Sequence, residues 1–113
     1  MNDRFLIVKY IKEFIYSIDD FVINFPRKEF VIKDRIINDS LDILEMIYIV
    51  NFDKNRNNLK YDILSKLSML DFYLERCYKN KIINEKLLRK KSSELSNITK
   101  MMHGWIRSDS KCS

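Results

Sequence analysis

The fold is decided by residues 7–26, which read IVKYIKEFIYSIDDFVINFP. Apolar side chains recur in this stretch at steps of three and four, which is the spacing of one face of an α-helix. That face contains Ile7, Ile11, Phe14, Ile18, Val22 and Phe25. Pro26 cannot continue the helix and disfavours helical geometry at the residue before it. The stretch therefore predicts a first helix over residues 3–25.

Three further amphipathic segments follow the first one. A second helix is predicted over 27–52, with Pro26 near its first turn. A polar, asparagine-rich loop with candidate N-cap residues precedes a third helix over 58–79, and Asn84 is placed to cap a fourth helix over 84–106. Because the connections are short, we expect an all-α, antiparallel up-down-up-down four-helix bundle.

The composition limits the remaining alternatives. The chain has 113 residues, 46% hydrophobic and 33% charged, which suits one folded domain over 1–108, with 109–113 as a flexible tail. One Gly and one Pro provide too few turns for an all-β fold. No segment is apolar enough to span a membrane, and the N-terminus does not resemble a signal peptide. Two cysteines do not form a disulfide framework, so we expect a cytoplasmic protein with reduced thiols.

The predicted second helix is apolar on more than one face. One stripe contains Phe30, Ile37, Leu41, Leu44 and Tyr48. An adjacent stripe contains Ile36, Ile43, Ile47 and Val50. Two interpretations stay open: this is a central helix that contacts two neighbours in its own chain, or its extra stripe is buried against another subunit.

Residues that could perform catalysis or bind a metal are not grouped in a usable pattern. A ferritin-like di-metal site needs Glu-x-x-His, but the single His103 has Lys100 three residues before it. No Arg lies four to six residues before His103, the spacing found in some helical nucleases, so we expect His103 to be a surface or capping residue. Cys77 lies on the apolar stripe of the third helix, and Cys112 lies in the tail. We expect no enzymatic activity, no metal and no cofactor, because a small metal-free enzyme would need a polar pocket that the apolar stripes do not supply.

The whole chain has a sequence pI of about 9.2, and its basic residues are concentrated in the second half. Residues 1–52 carry seven basic and nine acidic side chains, a net charge of −2, whereas residues 53–113 carry fourteen and seven, a net charge of +7. In an antiparallel bundle the first and third connections lie at the same end. That end would collect Arg27, Lys28, Lys79, Lys81, Lys86, Arg89, Lys90 and Lys91.

A cluster of this kind favours binding to phosphates, with an affinity that depends on salt and not on base sequence. Tyr78 in the same region could stack on a base, although a tyrosine in this position more often borders the core. The alternative is that the lysines only keep the helix ends soluble.

Three stretches together resemble a known family. They are residues 25–30 (FPRKEF), residues 35–45 (RIINDSLDILE) and residues 101–107 (MMHGWIR). Their order and spacing resemble the accessory variability determinant (Avd) of diversity-generating retroelements, within the wider four-helix-bundle family that includes proteins encoded in ribosomal RNA intervening sequences. The resemblance covers residues 7–108, and it departs from the family pattern at Asp39-Ser40 and His103-Gly104.

The resemblance implies a small basic four-helix protein that forms a homopentamer and binds the reverse transcriptase of the element. It also implies association with nucleic acid, template-repeat RNA in particular, in support of mutagenic copying without catalytic residues of its own. It places Arg27, Lys28, Arg35 and Arg107 at basic positions of the family. The alternative from another class is a stand-alone helical interaction module, or a regulator of a phage or mobile element, that does not bind nucleic acid.

Overall fold

The computed structural model contains four α-helices and describes residues 3–22 and 25–112, with side chains over 6–22 and 25–109. The helices are α1 (Asp3–Val22), α2 (Phe30–Phe52), α3 (Leu59–Lys79) and α4 (Glu85–Cys112). They form a body of 47 × 22 × 19 Å, and the described residues contain no strand. The predicted all-α four-helix bundle is confirmed. In the described part of the chain, no helix is long and apolar enough to cross a membrane.

The helices form a ring in which each one packs on two others. α1 contacts α2 and α4, and α3 contacts the same two helices. The side-chain amide of Asn80 donates a hydrogen bond to the Glu29 carboxylate at 3.3 Å, which brings the end of α3 to the start of α2. At the start of α3, Lys60 forms an ion pair with Asp109 near the end of α4. Such contacts are typical of antiparallel neighbours, and they favour the up-down-up-down order, which stays a prediction.

The core consists of the apolar stripes that the spacing predicts. Every member of the first stripe, from Ile7 to Phe25, is buried. The stripes of α3 and α4 contribute Ile63, Leu67, Leu70, Leu74, Cys77, Leu95, Ile98, Met102 and Trp105. Full burial of one such aliphatic side chain contributes about 1.5–3 kcal/mol, so the core is the main source of stability.

The connection between α1 and α2 differs from the prediction. Arg27–Glu29 form a short 3₁₀ turn, and α2 begins at Phe30 rather than at residue 27. Pro26 has extended geometry (φ −67°, ψ 153°) and its carbonyl accepts the N–H of Glu29 at 2.9 Å. The described part of α1 ends at Val22, and residues 23 and 24 of the predicted helix lie outside the described residues.

The predicted flexible tail is wrong for residues 109–112, because α4 continues as a helix to Cys112. The cause is an anchor between the end of α4 and the start of α3. Lys60 is buried, pairs with Asp109 and lies with its ammonium 4.4 Å from the centroid of the Trp105 ring. Residue 113 of the predicted tail lies outside the described residues.

One of the predicted helix caps is present and another is not. The side-chain oxygen of Asn84 accepts the N–H of Leu87 at 2.8 Å, which confirms Asn84 as the N-cap of α4. Before α3, Asn58 occupies the N-cap position but makes no side-chain cap bond. In that loop Asp53 accepts the N–H of Asn55 at 3.0 Å and begins a short 3₁₀ turn.

Polar side chains inside the α2–α3 interface have partners. Asp39 is buried and accepts a hydrogen bond from Lys66 at 3.3 Å, while the Ser40 hydroxyl donates to the carbonyl of Ile36 at 2.6 Å. Burial lowers the pKa of Lys66, but the carboxylates of Asp39 and Asp42 outweigh it and hold this pKa above the ordinary value of 10.5. Asp39 therefore joins α2 to α3 through Lys66, and the buried hydroxyl of Ser40 is satisfied within α2.

Candidate nucleic-acid interface

Seven basic residues surround the two connections that join α1 to α2 and α3 to α4. The hydrogen bond from Asn80 to Glu29 holds these connections side by side. All seven side chains are exposed, and together they define the surface that we name the basic end. The basic end consists of Arg27, Lys28, Lys79, Lys81, Lys86, Arg89 and Lys90.

The basic end has few acidic neighbours. Glu29 accepts the bond from Asn80, and Glu85 pairs with Arg89 at 2.6 Å, with both of the latter side chains exposed. Over residues 25–30 and 79–90, seven basic and two acidic side chains give a net charge of +5. An exposed ion pair contributes about 0–1 kcal/mol, so a phosphate can replace Glu85 as the partner of Arg89 at little cost.

The turn between α3 and α4 has a defined geometry. The N–H of Ile82 donates to the carbonyl of Cys77 at 2.8 Å, and the N–H of Lys81 donates to the carbonyl of Tyr78 at 3.0 Å. These are the two bonds of a Schellman motif, which needs a residue in the left-handed region just after the helix. Lys81 takes that conformation, with φ of 63°, at a position where glycine is usual.

The cysteine below this turn is a core residue, as predicted. Cys77 is buried, and its burial, followed by the charge of Glu29, raises the pKa of its thiol to about 11. A thiol of this kind stays protonated and unreactive. His103 is exposed on α4, and among the described residues no group of three or more His, Cys, Asp or Glu could hold a metal ion.

Lys91 does not belong to the basic end, so its predicted role in anion binding is wrong. Its side chain is only 2% exposed and lies between α1 and α4. The ammonium contacts both carboxylate oxygens of Glu94 at 3.1 Å and donates to the hydroxyl of Ser17. It also lies 5.7 Å from the centroid of the Phe14 ring. The group is thus fully engaged inside the bundle and is inaccessible to a partner.

Of the two other predicted binding residues, both exposed, Arg107 is the one far from the basic end. Arg35 lies on α2 five residues after the first residue of that helix, about 7.5 Å along the axis, which is the distance of Lys90 from the start of α4. Arg107 lies near the other end of the bundle, two residues before the Asp109 that pairs with Lys60. The structure therefore brings together the seven residues of the basic end and does not bring Arg107 to them.

The two apolar stripes of α2 have different surroundings. The stripe of Ile36, Ile43, Ile47 and Val50 is buried in the core. The other stripe, which we name the outer stripe, contains Phe30, Ile37, Leu41, Leu44 and Tyr48. Although α2 packs on both α1 and α3, Phe30 stays 43% exposed and Leu41 47% exposed. The contact with two neighbours in the same chain therefore leaves part of the apolar surface of α2 uncovered.

The basic end is an accessible cationic surface, and the outer stripe is a partly exposed apolar one. No family model matches the chain, and neither does any curated protein or solved structure.

Proposed function

We propose that the protein is a non-catalytic accessory protein that binds an anionic partner through its basic end. The observation that carries the proposal is the convergence of seven exposed cations around two adjacent connections, where residues 25–30 and 79–90 contribute the two acidic side chains Glu29 and Glu85. Lysine and arginine side chains that neutralise phosphates release condensed counterions, and this release supplies affinity for any nucleic-acid sequence. Because the contacts are exposed, each is weak, and affinity requires several at once.

The partner that we propose is the reverse transcriptase and template-repeat RNA of a diversity-generating retroelement. The three stretches that resemble Avd support this choice. In this role the protein holds the RNA, or DNA, close to the enzyme and supports mutagenic retrohoming, while the enzyme performs all the chemistry. A cytoplasmic location is part of the proposal, because the enzyme and its RNA template meet there.

Self-association through the outer stripe is also part of the proposal. Phe30 and Leu41 present apolar surface that a second subunit would cover, and a closed ring of identical contacts satisfies every copy. Five subunits of charge +5, the number that the resemblance implies, would carry about +25 on one particle. Such a particle would contact several phosphates of one RNA simultaneously. Light scattering on the purified protein measures the oligomer size.

Charge reversal at the basic end tests the proposal. We expect the triple variant Lys86→Glu, Arg89→Glu and Lys90→Glu to keep its helicity and to bind RNA at least tenfold more weakly at about 0.15 M salt, because three phosphate contacts become repulsive. Filter binding with labelled RNA and pull-down of the reverse transcriptase are the measurements. Unchanged binding of both partners would refute the role of the basic end.

The matched control reverses the same number of charges at the other end of the bundle. Lys54→Glu, Arg56→Glu and Arg107→Glu change the net charge of the protein equally but lie away from the basic end. We expect a much smaller loss of affinity from this variant. Equal losses from the two triple variants would mean that net charge, and not the basic end, determines binding.

The outer stripe favours a second candidate function, a stand-alone helical interaction module that regulates a phage or mobile element through a protein partner. In that case Leu41→Lys would abolish partner binding, and charge reversal at the basic end would leave it unchanged. The neighbouring gene separates the two candidates. A reverse-transcriptase gene with paired template and variable repeats supports the first one.

A further inference from the structure

We propose that the α3–α4 turn binds single-stranded nucleic acid, with one base stacked on Tyr78 and the adjacent phosphates held by Lys79 and Lys81. This inference rests on the proposed function, and it specifies which class of nucleic acid the basic end binds. Three features of the turn carry it: an open groove, an unpaired aromatic face beside two cations, and a lysine in a backbone conformation that favours glycine.

The groove lies where α3 ends and α4 begins. It has a volume of about 620 Å³, which is within the range of small-molecule sites in proteins. It is lined by Tyr78, Lys79, Lys81, Ile82, Ile83 and Asn84. An aromatic ring, two ammonium groups and apolar side chains on one wall match the parts of a nucleotide, which are a flat base and a charged phosphate.

Tyr78 has a free face for stacking. Its side chain is 41% exposed, whereas Cys77 beside it in the helix is buried. Among the described residues, the close aromatic pairs join Phe21 with Phe25 and Phe72 with Tyr73, and no cation lies over the ring of Tyr78. The ring is therefore available to a ligand.

The backbone of the turn fixes the position of Lys81, which lines the groove together with Lys79 and Tyr78. Lys81 donates its N–H to the carbonyl of Tyr78, and its φ of 63° fixes the direction in which the chain leaves α3. Glycine adopts this conformation without steric cost and is the usual residue there. A lysine in its place keeps a charge at the groove at the expense of backbone strain, and unusual strain of this kind is concentrated at functional sites.

Base stacking requires a single strand. In a duplex the faces of the bases are covered by their neighbours, and a surface tyrosine cannot reach them. In proteins that bind single strands, aromatic side chains stack on the bases while basic side chains follow the backbone. The α3–α4 turn offers both components within four consecutive residues, 78–81. The α1–α2 connection has an exposed aromatic residue too, Phe30 beside Arg27 and Lys28, but the ammonium of Lys33 already lies 4.9 Å from the centroid of that ring.

Removal of the ring, with charge unchanged, tests the inference in the full-length protein. We use a fluorescein-labelled twelve-nucleotide oligo-uridine and a duplex RNA of the same length, at about 0.15 M salt. We expect Tyr78→Leu to weaken binding of the single strand by roughly 5- to 150-fold, the range found when stacking residues are removed, and to change duplex binding by less than about twofold. Tyr78→Phe should bind both RNAs as the wild type does, because it keeps the ring.

Tyr61→Leu is the matched control. Tyr61 is an exposed tyrosine in the first turn of α3, far from the basic end, and its replacement should change neither affinity. Thermal melts of all three variants check that the fold is retained. If Tyr78→Leu fails to fold, iodination of the wild type replaces it, with Tyr78→Phe identifying the product labelled at position 78. We expect oligo-uridine to protect the Tyr78 ring from iodination, and an unprotected ring would overturn the inference.

The possible results separate this inference from the proposed function. Wild-type affinity of Tyr78→Leu for the single strand would overturn the inference, and the triple variant at the basic end would still show whether phosphate binding is present. Loss of reverse-transcriptase binding in Tyr78→Leu, with RNA binding unchanged, would also overturn it, because the groove would then bind protein. Absence of binding to either RNA by the wild type would overturn both proposals.

Discussion

Replacement of Glu94 by Ala should destabilise the protein more than replacement of Lys91 by Met, although Glu94 is the more exposed partner of the pair. The Lys91 side chain is 2% exposed and that of Glu94 is 33% exposed. Without Glu94, the Lys91 ammonium stays between α1 and α4 with the hydroxyl of Ser17 and the ring of Phe14 as its surroundings. Without the ammonium, the Glu94 carboxylate can turn to water, and methionine keeps most of the buried volume.

The two costs differ by a measurable amount. Removing one partner of a buried ion pair costs about 3–5 kcal/mol, and because Glu94 is partly solvated we expect about 2–3 kcal/mol for Glu94→Ala. Replacing a buried charged group with an apolar one of similar size is often neutral, so Lys91→Met should stay within about 1 kcal/mol of the wild type. Against a total of about 5–15 kcal/mol for a domain, the first change is large and the second is small.

Urea unfolding followed by far-UV circular dichroism measures both variants. With a slope of about 1–3 kcal/mol per molar urea, a loss of about 2–3 kcal/mol in Glu94→Ala should lower the midpoint by about 0.7–3 M. A greater loss in Lys91→Met than in Glu94→Ala would refute the reasoning about the buried ammonium. RNA binding gives a second readout with Lys90→Met as the matched control. Lys91→Met should bind RNA as the wild type does, whereas Lys90→Met should bind more weakly, because Lys90 belongs to the basic end.

Three further predictions concern single positions. Asn84→Ala removes the N-cap of α4 and should lower the free energy of unfolding by about 1 kcal/mol in the same urea experiment, and an unchanged midpoint would contradict the cap assignment. Lys81→Gly should raise this free energy by about 1 kcal/mol through relief of the left-handed backbone strain, and should weaken RNA binding; a loss of stability would contradict the strain argument. In a Cys112→Ser background, Cys77 should resist thiol reagents in the native protein and react in urea. Burial of the neutral Cys77 thiol stabilises the folded protein fully below pH 9.0, and this contribution is lost as the pH rises through about 11. Labelling of Cys77 in the native protein near pH 7 would contradict the prediction.

The sequence predicts the helices and the core of α1, α3 and α4 because polar and apolar positions alternate there with a clear helical period. In α2 it does not decide which stripe is buried. Both stripes have the spacing of a helix face, and the outer stripe contains residues as apolar as those of the core. The choice depends on rotation of the helix about its axis, which is set by neighbours that are distant in sequence. Asp39, for example, is turned toward α3 by its contact with Lys66.

The burial of Lys60 and Lys91 is not predicted from the sequence, for a related reason. Lys91 lies four residues before Leu95 and seven before Ile98, in phase with the apolar stripe of α4, so its position carries a signal of burial. Lys60 lies three residues before Ile63 and seven before Leu67, in phase with the apolar stripe of α3. Such a lysine is buried only where a partner is supplied from elsewhere, and Ser17 is 74 residues away from Lys91 along the chain. A basic cluster that is predicted from sequence alone therefore includes a buried lysine such as Lys91 together with the exposed ones.

The position of the buried Lys91 affects the exposed lysines of the basic end, because it influences how α4 is aligned along α1. The Lys91 ammonium reaches the hydroxyl of Ser17 at one offset of α4 along α1, and a shift by one helical turn, about 5.4 Å, would break this contact, whereas Glu94 lies on the same helix as Lys91 and would stay its partner. The same offset sets how far the α3–α4 turn projects beside the α1–α2 connection, where Asn80 meets Glu29. Because a buried polar group is costly without its hydrogen bonds, loss of the Ser17 contact disfavours shifted packings that an all-apolar seam would tolerate. Lys91, which never contacts the partner, thus favours the alignment of α1 and α4 in which the cations of the basic end converge.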